Sequence, residues 1–254
     1  MKKVDIIIPL SNKSYQNCND EIRLAIRSIK EFCKSWLGRI FVVTEYKIPD
    51  DIINDVIIIS AGDIYKHEKD ANIIYKVKTV IESVDDLSDD FIFWADDNFV
   101  VKDISLDDFT PRYMCTYSGN DKKDLDRQAI FNTWKKRLVL TLNRFENSKF
   151  FNPHIPSMMN KYKFIEMCNS YDFTTKHGIT IFSWYYNFIG EEGVKNYDEI
   201  HLTRNNVNNF GNNKFIGYFD AVMENIGFRN KIKTIFPDFV FKSRPKNNLN
   251  KFIL

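Results

Sequence analysis

Apart from Asp5, every residue from Val4 to Leu10 is apolar. A strand with one face in water would alternate, so this run predicts a strand buried on both faces. A polar stretch over residues 11–19 follows. Residues 21–32 then set Ile22, Ala25, Ile26 and Ile29 on one face at helical spacing. Three more short apolar runs, residues 40–44, 56–60 and 91–95, read as strands, and residues 73–84 read as a helix before the last of them. Strand, helix, strand, strand, helix, strand is the order of an α/β fold, a mainly parallel sheet with helices packed on both faces.

The second half changes character. Residues 125–142 carry a long helical pattern, residues 161–168 a shorter one, and residues 179–188 an aromatic run that suits a helix or a buried strand. Residues 205–213 are rich in Asn and Gly and show no apolar face, which predicts an exposed turn or a mobile lid. No repeat and no Pro- or Ser-rich linker divides the chain, so a single domain is expected over residues 1–254.

Across 254 residues, 36 Lys and Arg face 34 Asp and Glu, a formal net charge of +2. So even a balance gives no general attraction to nucleic acid or to an anionic membrane. Apolar residues make up 44 % and aromatics 15 %, including 22 Phe, enough to build a large core and to exclude disorder as the main state. The longest apolar run is far short of the roughly 20 residues of a membrane span. No signal peptide is read, and Cys18, Cys33, Cys115 and Cys168 show no CxxC spacing. A cytoplasmic protein with buried, inert thiols is therefore expected. The motifs GxxxxGK[ST], GxGxxG, HExxH and GxSxG are all missing, which removes support for P-loop, dinucleotide, zincin and α/β-hydrolase chemistry.

In parallel sheets ligands bind beyond the carboxyl ends of the strands, so residues 9–19, 44–49 and 96–98 become candidate site loops. The sharpest signal is Phe91-Ile92-Phe93-Trp94-Ala95-Asp96-Asp97-Asn98, an apolar strand that ends in two acids and an amide. Carboxylates beside a core strand are costly unless something compensates them. A divalent cation such as Mg²⁺ or Mn²⁺ could do so, since both take hard oxygen ligands; a turn cap or a pairing with Arg is the structural alternative. Asp20 and Arg23 open the first helix, where a nucleotide phosphate or an ordinary cap and ion pair would fit. His154 stands between Pro153 and Pro156 in a stiff segment that would suit a metal ligand or a general acid/base.

Taken in order, several segments resemble one family. They are Val4-Asp5-Ile6-Ile7-Ile8-Pro9-Leu10, Asn19-Asp20-Glu21-Ile22-Arg23, residues 40–45, Ala71-Asn72-Ile73, residues 89–98, His154-Ile155-Pro156 with Asn160-Lys161 and Phe164, and Gly190-Glu191-Glu192-Gly193 with Asp220 and Phe236-Pro237. The set is similar to bacterial and phage-encoded glycosyltransferases, distantly similar in turn to the Stealth-type capsule phosphotransferases. The resemblance implies a GT-A-like sheet in which Asp96 and Asp97, with His154, hold Mn²⁺ or Mg²⁺ against the diphosphate of a nucleoside-diphosphate sugar. It implies a donor pocket lined by Pro9, Glu45, Asn72 and Lys76, which Asp20 and Arg23 would join. Residues 1–110 would bind the donor and residues 111–254 the acceptor.

The expected reaction is metal-dependent transfer of a sugar to an acceptor hydroxyl. A saccharide is the expected acceptor, and modified phage DNA is a second class. Asp97 is a catalytic candidate, and Asp172 or Asp220 would be the base for an inverting reaction. Two alternatives stay open: sugar-1-phosphate transfer of the Stealth type, and a non-catalytic nucleotide or nucleic-acid module that grips phosphate through Lys242, Arg244 and Lys246.

Overall fold

The computed structural model describes residues 2–242 apart from residues 12–18, 66–68, 120, 124–132, 152–154, 175–177, 196–200, 203–205, 208–209 and 219–221. Along the chain, β1 (Val4–Pro9) leads to α1 (Asp20–Phe32), β2 (Leu37–Val43), β3 (Ile57–Ile59), α2 (Lys69–Ser83), β4 (Asp90–Phe93) and β5 (Asn98–Val100). Then come β6 (Arg112–Tyr113), β7 (Thr116–Tyr117), α3 (Thr133–Leu142), β8 (Ser148–Lys149), β9 (Ser157–Asn160), α4 (Lys161–Ser170) and α5 (Ile181–Phe188). The last elements are β10 (Val194–Lys195), β11 (His201–Leu202), β12 (Phe215–Tyr218) and α6 (Ile226–Ile235).

The main sheet runs β3-β2-β1-β4-β9. Its first four strands are parallel, and β9 closes the far side antiparallel to β4. All six residues of β1 are buried, because side chains alternate faces and each face meets a different helix. Ile6 and Ile8 pack with Ile22, Ala25, Ile26 and Ile29 of α1. Ile7 packs on the opposite side with Ile74, Val77 and Val80 of α2. The unbroken apolar run is thus two cores served by one strand.

The second half is woven into this frame. β9 supplies the fifth strand, and β12 pairs antiparallel with β5 in a smaller sheet, β11-β12-β5. A third core joins Phe99, Tyr218, Phe228 and Ile232 to the outer side of α1 at Leu24. Residues 179–188, open between helix and strand from sequence, form helix α5. The described part of the predicted 125–142 helix is α3, and the rest of that prediction lies outside the described residues.

Two expectations are corrected. β3 is not covered on both faces: it is the edge of the sheet, and Ile57 and Ile58 are each 41 % exposed. The 205–213 segment is not simply an exposed turn. Its apolar members Val207 and Phe210 are buried in the third core, with Phe210 edge-on to Phe99 at 5.8 Å. Two scattered apolar side chains sufficed to anchor a segment that has no periodic face. Among the described residues, Cys33, Cys115 and Cys168 are free. Burial pushes the Cys33 and Cys168 thiols up to about 12, so they stay protonated at neutral pH. Cys18 lies outside the described residues. No described helix is long and apolar enough to cross a membrane.

Candidate active site

The carboxyl ends of β1, β2, β3 and β4 lie along one edge of the sheet, and most of the sequence-predicted site residues gather there. Pro9 ends β1, where it faces Val43 of β2. Pairing with β4 has already ended at Ile7 and Phe93, so a residue without an N–H costs the ladder nothing. Beyond it, the Leu10 N–H donates to the Val43 carbonyl at 3.0 Å. Leu10 then offers its own carbonyl to Lys76 Nζ of α2 at 2.7 Å.

Lys76 is 2 % exposed and forms an ion pair with Asp63 at 2.6 Å. Asp63 was not among the residues predicted from sequence. The available signal was the same as at Asp96, an apolar strand that runs out into a carboxylate, here through Ala61-Gly62-Asp63. Asn72, one turn before Lys76 on α2, grips the loop from β3. Its Oδ1 accepts from the Tyr65 N–H at 2.8 Å, and its Nδ2 donates to the Tyr65 carbonyl at 2.8 Å. Glu45, just past β2, lays its carboxylate over Gly62, where any side chain would run into it.

Asp96 and Asp97 occupy the turn that follows β4. The Asn98 N–H donates to the Ala95 carbonyl at 3.1 Å and closes the turn. The buried Trp94 indole donates to the Asn98 carbonyl at 2.9 Å, and the Tyr218 N–H of β12 donates to the Asp97 carbonyl at 3.2 Å. Asn98 Nδ2 also donates to Asp97 Oδ1 at 3.2 Å. The turn is therefore held by both sheets, and both acids are half-buried. Here the apolar–acidic boundary read from the sequence has a physical cause: β4 leaves the main sheet and its chain enters the second one as β5.

As a cation site, this turn supplies two hard carboxylates. Among the described residues no group of three His, Cys, Asp or Glu side chains forms a metal cluster. The donor set suits Mg²⁺ or Mn²⁺ shared with a substrate, since Mg²⁺ in particular is commonly held by one or two carboxylates and completed by water and phosphate oxygens. His154 and Asp220 lie outside the described residues.

Asp20 and Arg23 are placed at the same end of the molecule, but they are engaged within the protein. Arg23 Nη1 contacts Asp20 at 2.8 Å and the Val240 carbonyl at 2.7 Å, and its Nη2 contacts Asp51 at 2.6 Å. Its guanidinium covers the Phe239 ring at 5.2 Å. The Lys242 N–H donates to Asp20, and Lys242 Nζ pairs with Asp51 at 3.1 Å. Burial raises the Asp51 carboxyl, but hydrogen bonds from Arg23 and Lys242 outweigh it and hold it below the usual carboxylate range. These groups fasten the C-terminal segment across the start of α1. Asp172 stands apart, after α4, where its Oδ1 accepts from the Thr174 N–H and hydroxyl at 2.9 and 2.6 Å. Those bonds hold it below the usual carboxylate range.

Residues 15–116 match the family described as Stealth protein CR2, conserved region 2. The match begins after β1 and covers α1, β2, β3, α2, β4 and the Asp96–Asp97 turn, less than half of the chain. The fold as a whole is similar to the galactosyltransferase LgtC solved with donor and acceptor sugar analogs, with a TM-score of 0.53 and 12 % identity over 93 % of this chain and 97 % of that one. An active-site mutant of LgtC aligns over the same shares at a TM-score of 0.50 and 12 % identity. No curated protein matches the sequence significantly. The chain thus has a GT-A-like fold, and residues 15–116 are similar to Stealth conserved region 2.

Proposed function

We propose that this protein is a glycosyltransferase that takes a sugar from a nucleoside-diphosphate sugar and places it on an acceptor hydroxyl. The observation that carries the reading is the Asp96–Asp97 turn, two half-buried acids set at the carboxyl end of a core parallel strand. Beside it on the same edge stand the loops from β1, β2 and β3, tied together by Lys76, Asn72 and Glu45. The fold shared with LgtC supports the same reading.

In this reading Asp96 and Asp97 would hold Mg²⁺ or Mn²⁺, and the ion, when bound, supplies positive charge that neutralises a leaving diphosphate. The chain's own part is positioning. Trp94 and Tyr218 clamp the backbone of the turn and Asn98 holds the Asp97 carboxylate before substrate arrives, which lowers the reorganisation needed during reaction. Lys76 and Asn72 fix the β1 and β3 ends that form the walls of the donor pocket. In the transfer, the acceptor oxygen bonds to the sugar's anomeric carbon, the bond from that carbon to the diphosphate breaks, and the hydroxyl proton passes to a base.

The Stealth match favours a second reading, transfer of sugar 1-phosphate. The acceptor oxygen would then bond to phosphorus, and a nucleoside monophosphate would leave. One experiment separates the two. The purified protein is incubated with nucleoside-diphosphate sugars and saccharide acceptors in Mn²⁺, in Mg²⁺ and in chelator, and the released nucleotide is identified. Diphosphate supports glycosyl transfer and monophosphate supports the second reading. Absence of metal-dependent turnover, together with absence of any thermal shift by a donor, overturns both.

A further inference from the structure

A groove of about 370 Å³ runs along the outer side of α2, from Tyr65 at the carboxyl edge to Glu82 in the last turn of the helix. Its opposite wall is the end of α4 and the residues that follow, Tyr171 and Asp172 among them. The volume lies in the range of small-ligand sites, about 300–1,000 Å³. None of its walls takes part in the turn that holds Asp96 and Asp97.

Three tyrosines give the groove stiff apolar surface. Tyr65 and Tyr75 meet edge to face at 6.2 Å, and the two Asn72 bonds fix the Tyr65 backbone. Tyr171 stacks on the Trp184 ring at 4.5 Å and carries the Arg144 guanidinium at 4.8 Å. Since the Tyr171 ring is already engaged by Trp184 and Arg144, Tyr65 and Tyr75 are the rings left to cover the C–H face of a sugar at little entropic cost. The polar groups complement a ring of hydroxyls. Among the described residues both bonds to Asp172 fall on Oδ1, which leaves Oδ2 for a hydroxyl donor, and a charged acceptor makes the stronger hydrogen bond. Lys78 and Glu82 pair at 3.5 Å across one turn of α2 and add a donor and an acceptor.

Charge decides between ligand classes. With Arg144 on the Tyr171 ring, Lys78 and Arg144 balance Glu82 and Asp172, so the groove carries no net positive charge to draw a phosphate, a nucleotide or a nucleic acid. We propose that this groove binds a neutral saccharide, as a subsite for the part of an acceptor glycan remote from the reacting hydroxyl. Its place as an acceptor subsite rests on the glycosyltransferase reading; the binding itself does not.

The full chain is titrated, without donor, with cellotetraose, maltotetraose, chitotetraose and β-1,4-galactotetraose by saturation-transfer NMR and calorimetry. At least one is expected to bind. Tyr75→Ala is expected to weaken that binding by about tenfold, and Asp172→Asn, which keeps Oδ1 as an acceptor for Thr174, by about threefold to tenfold. Asp96→Asn is expected to bind as the unaltered chain does. The proposal is overturned if none of the four binds, or if both groove variants bind as the unaltered chain does. Groove-dependent binding in a protein that neither turns over a donor nor shows a thermal shift with one would uphold the groove and sink the glycosyltransferase reading.

Discussion

The ammonium of Lys76, buried inside α2, donates to the carbonyl of Leu10 at the end of β1 across 66 positions of sequence. The same ammonium neutralises Asp63 at the end of β3. One side chain thus ties a helix to two strand ends at the edge where the donor is proposed to bind. Lys76→Met keeps the stem but strands the carboxylate and the carbonyl. The expected loss is about 2–3 kcal/mol, less than for a fully buried pair because Asp63 is 26 % exposed. Asp63→Asn added to Lys76→Met should recover part of it. Chemical denaturation of Lys76→Met, Asp63→Asn and the double variant checks this through the coupling energy.

Asp96→Asn and Asp97→Asn preserve size and can still accept hydrogen bonds, but each removes a charge from the turn. Turnover of a nucleoside-diphosphate sugar is expected to fall by about 10²–10³-fold in either variant, the scale of losing one preorganised electrostatic contact. The melting temperature should move little, because the turn is closed by backbone groups and by the Trp94 indole. Full activity of both variants in chelator would remove these residues from the reaction.

Acid stability should report on Asp5. Burial raises its pKa, but the side chain and backbone of Arg39 and the Ser88 N–H overcome this and hold it below the ordinary 3.8. The pair is close, with Arg39 Nη2 to Asp5 Oδ2 at 2.8 Å. A group whose pKa is lower in the folded state contributes fully above its unfolded value and loses that contribution as pH falls through the folded one. Stability should therefore be flat in this respect above about pH 5 and decline below 3.8. In urea titrations from neutral pH downward, Asp5→Asn should be less stable near neutrality and show a shallower acid limb. An acid limb as steep as that of the unaltered chain would assign the effect to other carboxylates.

Arg23→Ala should free the C-terminal segment. It removes contacts to Asp20, Asp51, the Val240 carbonyl and the Phe239 ring together. The expected cost is about 3 kcal/mol, since a buried partner is removed and Asp20 is left behind at 1 % exposure. Arg23→Lys should recover little, because a single ammonium cannot span the partners of a guanidinium. Hydrogen exchange at residues 239–242 checks this: amides there should lose protection before those of β1. Unchanged protection would mean that the aromatic packing alone holds the segment.

The parts of the fold that were legible in sequence share one property, local repetition. β1, α1, β2, α2 and β4 each write their burial into consecutive residues, so the parallel half of the sheet followed from periodicity alone. Asp96 and Asp97 stood out for a related reason, an abrupt change from apolar to acidic with no intervening residue. The family resemblance brought in Asn72 and Lys76, which periodicity would have left as ordinary helix positions.

Tertiary structure decided what depends on contacts between distant segments. Nothing near Asp20 and Arg23 in sequence tells of Val240 or Lys242, so residues expected to meet a nucleotide prove to hold the chain's own C-terminal segment. Asp63 gained its partner only when α2 laid Lys76 against it, and Asp172, named from sequence as a base, stands where residues after α4 meet the far side of α2. The 205–213 segment is anchored by Phe99 and α6, which are remote in sequence. Short-range order is set by side-chain spacing and backbone preference, and the sequence by itself determined it. The partner of a buried charge is chosen when sheets and helices close around it, and only the folded chain could name that partner.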